Sequence, residues 1–207
     1  MIKIIDYGVG NIQAFLTLMK RIGIPAERAR TPNDLETASR LILPGVGHFD
    51  HAMRRLNESG MRETLDRKVL QDEIPIIGVC VGMQMLATSS EEGTLPGLNW
   101  IPGKVRSFNS LGGFTLPLPH MGWNQLRAES DSQLFQRGFE ETSQFYFLHS
   151  YYFDTDDKKD VAAKAFYGIE FEAGVSRGNV HGVQCHPEKS HHWGANLIKN
   201  FTQVEKC

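Results

Sequence analysis

The segment Gly78-Val79-Cys80-Val81-Gly82-Met83-Gln84 decides the fold of this chain. It follows Ile74-Pro75-Ile76-Ile77, a β-branched run typical of a buried strand, and leads into Met83-Gln84-Met85-Leu86-Ala87, which we predict to be helical. A cysteine between glycines at a strand-to-helix turn is the pattern of a nucleophile elbow, because a Cβ on either side would clash in so tight a turn. The sequence therefore predicts a thiol at the end of a strand, beside a helix N-terminus that favours thiolate.

A second motif, His186-Pro187-Glu188, follows another strand-like run at residues 180–185. Taken alone, a cysteine between glycines is usually a buried residue that packs in the core, and a His-Pro-Glu segment is usually part of a loop. Both motifs, however, follow predicted strands, and ligands of open α/β sheets bind at the carboxyl ends of the strands. We therefore predict a catalytic triad in which Cys80 is the nucleophile, His186 the base and Glu188 the carboxylate that orients the base.

The composition excludes several classes of protein. With 207 residues, 41% hydrophobic and 22% charged, the chain fits one globular domain, which we place at residues 1–207. A formal net charge of −2 without a basic cluster argues against nucleic acid as a partner. No stretch is typical of a signal peptide or a membrane span. Three cysteines without CxxC spacing argue against a disulfide framework and against a metal site, and a reducing cytoplasm suits a free thiol.

Strand-like and helix-like segments alternate in the first half of the chain and predict an α/β fold with a mostly parallel sheet. The predicted strands are residues 2–6, 41–43 and 74–79, and the predicted helices are residues 11–22, 49–56 and 61–70. After about residue 99 the pattern becomes β-rich, with predicted strands at 105–108, 144–153, 161–167 and 180–185 before a closing helix at 195–204. We expect the later strands to extend the same sheet, partly in antiparallel fashion.

A third segment, Pro44-Gly45-Val46-Gly47, follows the strand at 41–43. A Pro-Gly pair by itself indicates a turn. Glycines on both sides of Val46 would also allow its N–H to point at a tetrahedral intermediate and to flip at low cost. Together with the N–H of Val81, this group would complete an oxyanion hole.

Two further segments carry unusual combinations of residues. Pro119-His120-Met121-Gly122-Trp123-Asn124 is compatible with a structural turn or with a binding role. Tyr146-Phe147-Leu148-His149-Ser150-Tyr151-Tyr152 alternates as a strand, but core packing does not explain its Tyr, His and Ser residues. Cys185 precedes the triad histidine and is assigned to the core, and the adjacent His191 and His192 are assigned to a solvated helix start.

These motifs together resemble the class I (triad) glutamine amidotransferases. The resemblance covers essentially the whole chain, and Pro119–Asn124 points to the branch whose glutaminase serves imidazole glycerol phosphate synthesis. It implies a flavodoxin-like, three-layer α/β fold and L-glutamine as substrate, without a cofactor. It also implies a heterodimer with a (β/α)₈-barrel cyclase, which uses channelled ammonia to make imidazole glycerol phosphate and an aminoimidazole carboxamide ribonucleotide in histidine biosynthesis.

The resemblance also implies roles for individual residues. The triad and oxyanion assignments are the same as those above. The glutamine would be held by Gly47, Gln84, His149, Ser150 and Tyr151. The cyclase would meet Asn11, Met121, Trp123, Tyr146 and Lys189.

Several alternatives remain open on sequence grounds. Cys185 stands where this branch usually has Phe, and the run Lys189–Gly194 is closer to a paralogous glutaminase that feeds a sugar amidotransferase in surface-polysaccharide synthesis. Glutaminases of purine, pyrimidine or anthranilate synthesis need the same triad but lack the Pro119–Asn124 motif. A free-standing cysteine hydrolase would be fully active without a partner, and a regulatory module would carry a vestigial site.

Overall fold

The computed structural model describes residues 1–110, 112–130, 132–140 and 142–204. In these residues one sheet has the strand order β2-β1-β3-β4-β13-β12-β10-β6-β5, with β11 and β8 attached beside β12. The run from β2 to β13 is parallel, whereas β12 pairs with β13, β10 and β11 in antiparallel fashion. The predicted α/β fold, with its mostly parallel sheet and added antiparallel strands, is confirmed.

The strands and helices have the following bounds. The strands are β1 Ile2–Ile5, β2 Ala26–Ala29, β3 Arg40–Gly45, β4 Ile76–Cys80, β5 Ser89–Ser90, β6 Gly103–Ser107, β7 His120–Gln125, β8 Arg127–Ala128, β9 Gln144–His149, β10 Tyr151–Thr155, β11 Val161–Tyr167, β12 Ile169–Arg177 and β13 Val180–Val183. The helices are α1 Ile12–Arg21, α2 Pro32–Leu35, α3 Phe49–Glu58, α4 Arg62–Leu70, α5 Val81–Gln84 and α6 His191–Phe201.

The parallel strands form the centre of the core. Every residue of β1, β4 and β13 is buried, as expected for parallel strands that helices cover on both faces. Helix α1 buries Ile12, Phe15, Leu18 and Met19 at helical spacing, and Asn11 caps its first turn by accepting a hydrogen bond from the Ala14 N–H. The carboxyl ends of β3, β4 and β13 consequently meet at one edge of the sheet.

The strand predicted at 144–153 is two strands in two different sheets. β9 pairs with β7 in a separate two-stranded antiparallel sheet, in which His149 lies opposite His120. β10 begins after Ser150 and joins the main sheet, where Tyr151 lies opposite Ser107. The chain thus passes from one sheet to the other at Ser150, and the Pro119–Asn124 segment contributes to a strand rather than to a turn.

The helix after Cys80 is only one turn long, which corrects the predicted helix through Ala87. It ends early because a loop takes the carbonyl groups that would continue it. The N–H of Leu98 donates to the Met85 carbonyl, and those of Trp100 and Ile101 donate to the Leu86 carbonyl. A one-turn helix has a smaller dipole than the longer helix that the sequence predicts.

Other boundaries also differ from the predictions. Strands β2 and β12 were not predicted, and the closing helix begins at His191 rather than at Ala195. Strand β12 returns from β11 through Gly168, whose φ of 71° gives a tight connection between Tyr167 and Ile169. None of the helices in the described residues combines the length and apolar character that crossing a membrane requires.

The close packing of the elbow predicts a strong effect of one methyl group. A Cβ at Gly82 would clash with the Leu43 carbonyl oxygen, whereas Gly112 has no atom within 4 Å of the same position. We expect Gly82→Ala to lower the free energy of unfolding by about 2 kcal/mol or more, because backbone cannot move aside. Gly112→Ala is the matched control and should change it little; urea unfolding measures both. Equal stabilities of the two variants would contradict this packing.

Candidate active site

Cys80 is held in an unusual backbone conformation at the junction of β4 and α5. Its φ of 56° and ψ of −115° are sparsely populated for a residue with a side chain. The elbow is tight because a Cβ at Gly78 would meet the Gly82 carbonyl oxygen. The residue is 4% exposed, and its Sγ lies 3.8 Å from the Leu148 carbonyl oxygen and 3.7 Å from Gln184 Nε2. The elbow thus directs the thiol toward strand β9.

His186 and Glu188 form a close pair just after β13. His186 Nδ1 lies 2.8 Å from Glu188 Oε1, and the two side chains are 4% and 3% exposed. The His186 backbone is fixed by β9, since its N–H donates to the Tyr146 carbonyl at 2.8 Å. The Ser190 hydroxyl donates to the His186 carbonyl at 2.6 Å and accepts from the Tyr146 N–H at 3.0 Å. The loop is therefore locked to the two-stranded sheet.

The electrostatics of His186 favour its charged form. Burial alone lowers the pKa of this imidazole, but Cys80 and Glu188 outweigh burial and raise the pKa to about 10. Its Nε2 is buried and has no hydrogen-bond partner of good geometry among the described residues. A buried imidazole nitrogen left open beside a thiol is available for proton transfer.

The predicted oxyanion residues directly follow two neighbouring strands. Gly45 is the last residue of β3 and the register partner of Cys80, the last residue of β4, so Val46 and Val81 come next after the two strand ends. Val46 is 42% exposed, and Gly47 has a φ of 80°. The short segment 46–48 is exposed between a buried Gly45 and a buried Phe49.

Both ends of this segment are anchored. The Tyr7 hydroxyl, 3% exposed, donates to the Pro44 carbonyl at 2.8 Å. At the other end, the Phe49 N–H donates to Glu92 Oε2 at 2.7 Å. Movement of the Val46 peptide is therefore confined to the residues between these two anchors.

Gln84 connects the predicted glutamine-binding segment 149–151 to the surroundings of Cys80. Gln84 is 2% exposed, and its Nε2 donates to the Tyr151 carbonyl at 3.2 Å and to Gln184 Oε1 at 3.0 Å. His149 is buried and hydrogen-bonded within the protein, and Ser150 lies at the break between β9 and β10. The Gln84 amide hydrogens are thus already used inside the protein, and the Leu148 carbonyl, one residue before the predicted 149–151 segment, is the backbone group beside the sulfur.

Four of the five predicted partner residues lie on or beside the outer face of the two-stranded sheet. Met121 and Trp123 are 66% and 45% exposed, and Trp123 pairs with Tyr146 across the sheet. Lys189 places its ammonium 5.4 Å from the centre of the Tyr146 ring. Asn11 is exposed at the N-terminus of α1.

Sequence reasoning missed residues on this face and inside the site. Leu148 is exposed opposite Met121, and His191 stacks on Trp123 with ring centroids 5.1 Å apart. The alternation of apolar residues at 121/123 and 146/148 was the available signal. Gln184 was missed because a single polar residue within a run predicted as a strand carries no local signal.

Cys185 is fully buried, and burial raises the pKa of its thiol well above the ordinary value, which makes it a poor nucleophile.

Comparison with known proteins identifies the family. The sequence model of the family described as "Glutamine amidotransferase class-I" matches residues 3–204. The chain belongs to this family. This amidotransferase is 55% identical, over 99% of its own length and 100% of the relative, to "Imidazole glycerol phosphate synthase subunit HisH" of Bdellovibrio bacteriovorus. It is 47% identical to the protein of the same name from Leptospira borgpetersenii, over the same shares of both chains.

Solved structures show the same fold at low sequence identity. A crystal structure titled as a glutamine amidotransferase superposes on this amidotransferase with a TM-score of 0.75 at 21% identity, covering 98% of this chain and 97% of that one. The PurLQS structure from Thermotoga maritima superposes with a TM-score of 0.74 at 18% identity and with the same coverage of both chains. The predicted fold and the predicted imidazole glycerol phosphate synthase branch are confirmed, and the surface-polysaccharide alternative is not favoured.

Buried neutral histidines predict a loss of stability in mild acid. Burial lowers the pKa of His149 to about 3 and that of His181 to about 4. Because these folded values lie below the unfolded value of 6.5, the unfolded state binds more protons as the pH falls from 6.5 toward 4. The contribution of His149 and His181 to the free energy of unfolding is therefore fully present above pH 6.5 and declines below it. His186 acts in the opposite sense, since its raised pKa contributes stability below pH 6.5 that is lost toward pH 10.

We expect the free energy of unfolding at pH 5 to be lower than at pH 7 by about 2 kcal/mol for each of His149 and His181. Urea titrations at the two pH values measure the difference. A His181→Phe variant should show a smaller difference than the wild type. Equal stability at both pH values would contradict the neutral state of these rings.

Proposed function

We propose that this chain hydrolyses L-glutamine with the triad Cys80, His186 and Glu188 and supplies the ammonia to imidazole glycerol phosphate synthesis in the histidine pathway. The main support is the electrostatic coupling of the elbow thiol to the His186 imidazole, which Glu188 holds at 2.8 Å. The other supports are family membership and the names of the full-length relatives. Residues 1–207 would act as one amidotransferase domain in the cytoplasm.

The first half of the reaction forms a thioester. The Cys80 thiolate attacks the side-chain amide carbon of glutamine, and the carbonyl electrons move onto oxygen. As this intermediate collapses, the C–N bond breaks, and the protonated His186 Nε2 gives its proton to the leaving nitrogen, which departs as ammonia. The raised pKa of His186 supplies this proton at neutral pH.

The second half releases glutamate. Neutral His186 removes a proton from water, which attacks the thioester carbon, and the C–S bond breaks to return the thiolate and the imidazolium. Glu188 holds Nδ1 throughout, so that Nε2 faces the reacting atoms.

The backbone would stabilise and hold the substrate. The N–H groups of Val46 and Val81 would donate to the oxyanion in both halves of the reaction. Gly47 and the His149–Tyr151 backbone would hold the glutamine, while Gln84 would act through its hydrogen bond to the Tyr151 carbonyl.

The exposed face of the two-stranded sheet is the proposed partner surface. Met121 and Trp123 place apolar area in solvent next to the site, which is typical of an interface. This surface extends beside the triad loop through Tyr146 and Lys189. We also assign Asn11 to it. We assign this surface to a (β/α)₈-barrel cyclase in a heterodimer, which would receive the ammonia without release to solvent.

Loss of the thiol should separate the two activities of the complex. Cys80→Ala should abolish glutamine-dependent synthesis yet leave ammonium-dependent synthesis intact, because only the thioester step needs the thiol. Steady-state rates with glutamine or ammonium chloride measure both. Cys185→Ala is the matched control and should keep glutamine-dependent activity. Glutamine-dependent turnover of Cys80→Ala within about tenfold of wild type would overturn the assignment.

The anchored Val46 segment predicts activation by the partner. With its ends fixed at Pro44 and Phe49, the segment can hold the Val46 N–H away from the oxyanion in the free chain and turn it inward in the complex. We expect the cyclase with its nucleotide bound to raise kcat for glutamine hydrolysis by about 10² or more. A free chain that already works at the rate of the complex would refute this switch.

A further inference from the structure

A run of hydrogen bonds, centred on the buried His120–His149 pair, leaves the two-stranded sheet and ends at the Tyr151 backbone. His149 Nδ1 lies 2.8 Å from the Tyr151 carbonyl oxygen, and His149 Nε2 lies 2.9 Å from His120 Nδ1. His120 Nε2 lies 3.2 Å from Asn124 Nδ2, which also donates to the Phe166 carbonyl at 2.9 Å. The run therefore links a surface strand to a peptide that borders the active site.

The chemistry of the carbonyl group fixes every proton in this run. A carbonyl oxygen only accepts, so His149 must carry its proton on Nδ1 and must accept at Nε2. His120 consequently donates from Nδ1 and accepts at Nε2 from the Asn124 amide. Both rings are neutral in this arrangement, in agreement with the burial that lowers the pKa of His149 to about 3 and that of His120 to about 4.

A second run of hydrogen bonds continues from the same carbonyl to the thiol. The Tyr151 oxygen also accepts from Gln84 Nε2 at 3.2 Å, and the other Gln84 hydrogen is donated to Gln184 Oε1 at 3.0 Å. Gln184 Nε2 in turn lies 3.7 Å from Cys80 Sγ. Gln184, directly after β13, is fully buried, and its amide is a polar neighbour of the sulfur.

We propose that His149 is a positioning residue whose Nδ1–H holds the Tyr151 carbonyl and, through it, the Gln84–Gln184 pair and the glutamine-binding backbone beside Cys80. His120 and Asn124 support it by fixing the His149 proton on Nδ1. This inference rests on the proposed function, because the substrate it positions is glutamine.

Packing alone does not require a histidine at this position. The His149 ring lies in a cluster of aromatic side chains, 5.5 Å from the Phe108 ring and 5.1 Å from the Phe171 ring. A Phe would fill such an environment at lower desolvation cost. What the imidazole adds is one donor toward Tyr151 and one acceptor toward His120.

Two variants separate these two hydrogen bonds. Asn at position 149 keeps a donor near the place of Nδ1 and loses the acceptor toward His120. Gln at position 149 keeps a polar atom near the place of Nε2 and loses the donor toward Tyr151. His149→Asn and His149→Gln thus each lose one bond, and thermal unfolding shows whether they are equally destabilised. His181→Phe is the control, since His181 is an equally buried histidine bonded to Ser176 and not to this run.

The readout is covalent labelling of Cys80 by a diazo ketone analogue of glutamine, followed by intact mass on the whole chain. We expect His149→Gln to raise the half-saturating concentration of the analogue about tenfold, while His149→Asn and His181→Phe stay within about threefold of wild type. Equal half-saturating concentrations for His149→Asn and His149→Gln would overturn the positioning role and leave the proposed function standing. A wild-type chain that shows no saturable labelling of Cys80 would overturn the proposed function and this inference with it.

Discussion

The contact of the Gly82 backbone with the Leu43 carbonyl is the constraint on which the rest of the site depends. It brings α5 onto the end of β3 so closely that no Cβ fits between them, and a Cβ at Gly78 would likewise meet the Gly82 carbonyl. Under this constraint Cys80 adopts a φ of 56° at an estimated cost of about 1–3 kcal/mol. The surrounding sheet offsets that cost, since β4 is buried along its whole length. The thiol is therefore positioned by backbone packing and needs no side-chain anchor.

The two-stranded sheet connects this rigid centre to the surface. The edge of β9 that does not pair with β7 fixes His186 through the Tyr146 carbonyl. The inner face of the sheet carries the His120–His149 pair, and the outer face exposes Met121 and Trp123. One element thus borders both the site and the proposed partner surface. A partner that binds the outer face contacts the strand whose edge holds the triad loop, so binding and catalysis can be coupled over a short distance.

Much of the site could be predicted from local patterns. The elbow, the triad loop and the glycine-rich segment at 44–47 each combine a strand end with residues of special chemistry, and the parallel sheet brings strand ends together. Strand β12 and its pairing with β11 through the turn at Gly168 could also have been predicted, because residues 169–177 alternate between apolar and polar side chains.

Other features depend on contacts that no local pattern encodes. Strand β7 is mostly exposed and exists because it pairs with β9. The helix after Cys80 stops because residues far from the elbow in the sequence, at 98–101, take its carbonyl groups. The split at Ser150 sends one apolar run into two sheets, which the continuous β pattern of the run conceals. Gln184 and Tyr7 act through hydrogen bonds to residues distant in the sequence and were missed for that reason.

The most direct test of the account is the identity of the atom that carries the acyl group. The complete complex would be mixed with glutamine, quenched in acid within the first turnovers, digested and examined by mass spectrometry for a γ-glutamyl thioester. Cys80 and Cys185, both buried, give the experiment an internal comparison. The account predicts one γ-glutamyl group on the peptide that contains Cys80 and none on the peptide that contains Cys185. An adduct on Cys185, or turnover without any adduct on Cys80, would contradict it.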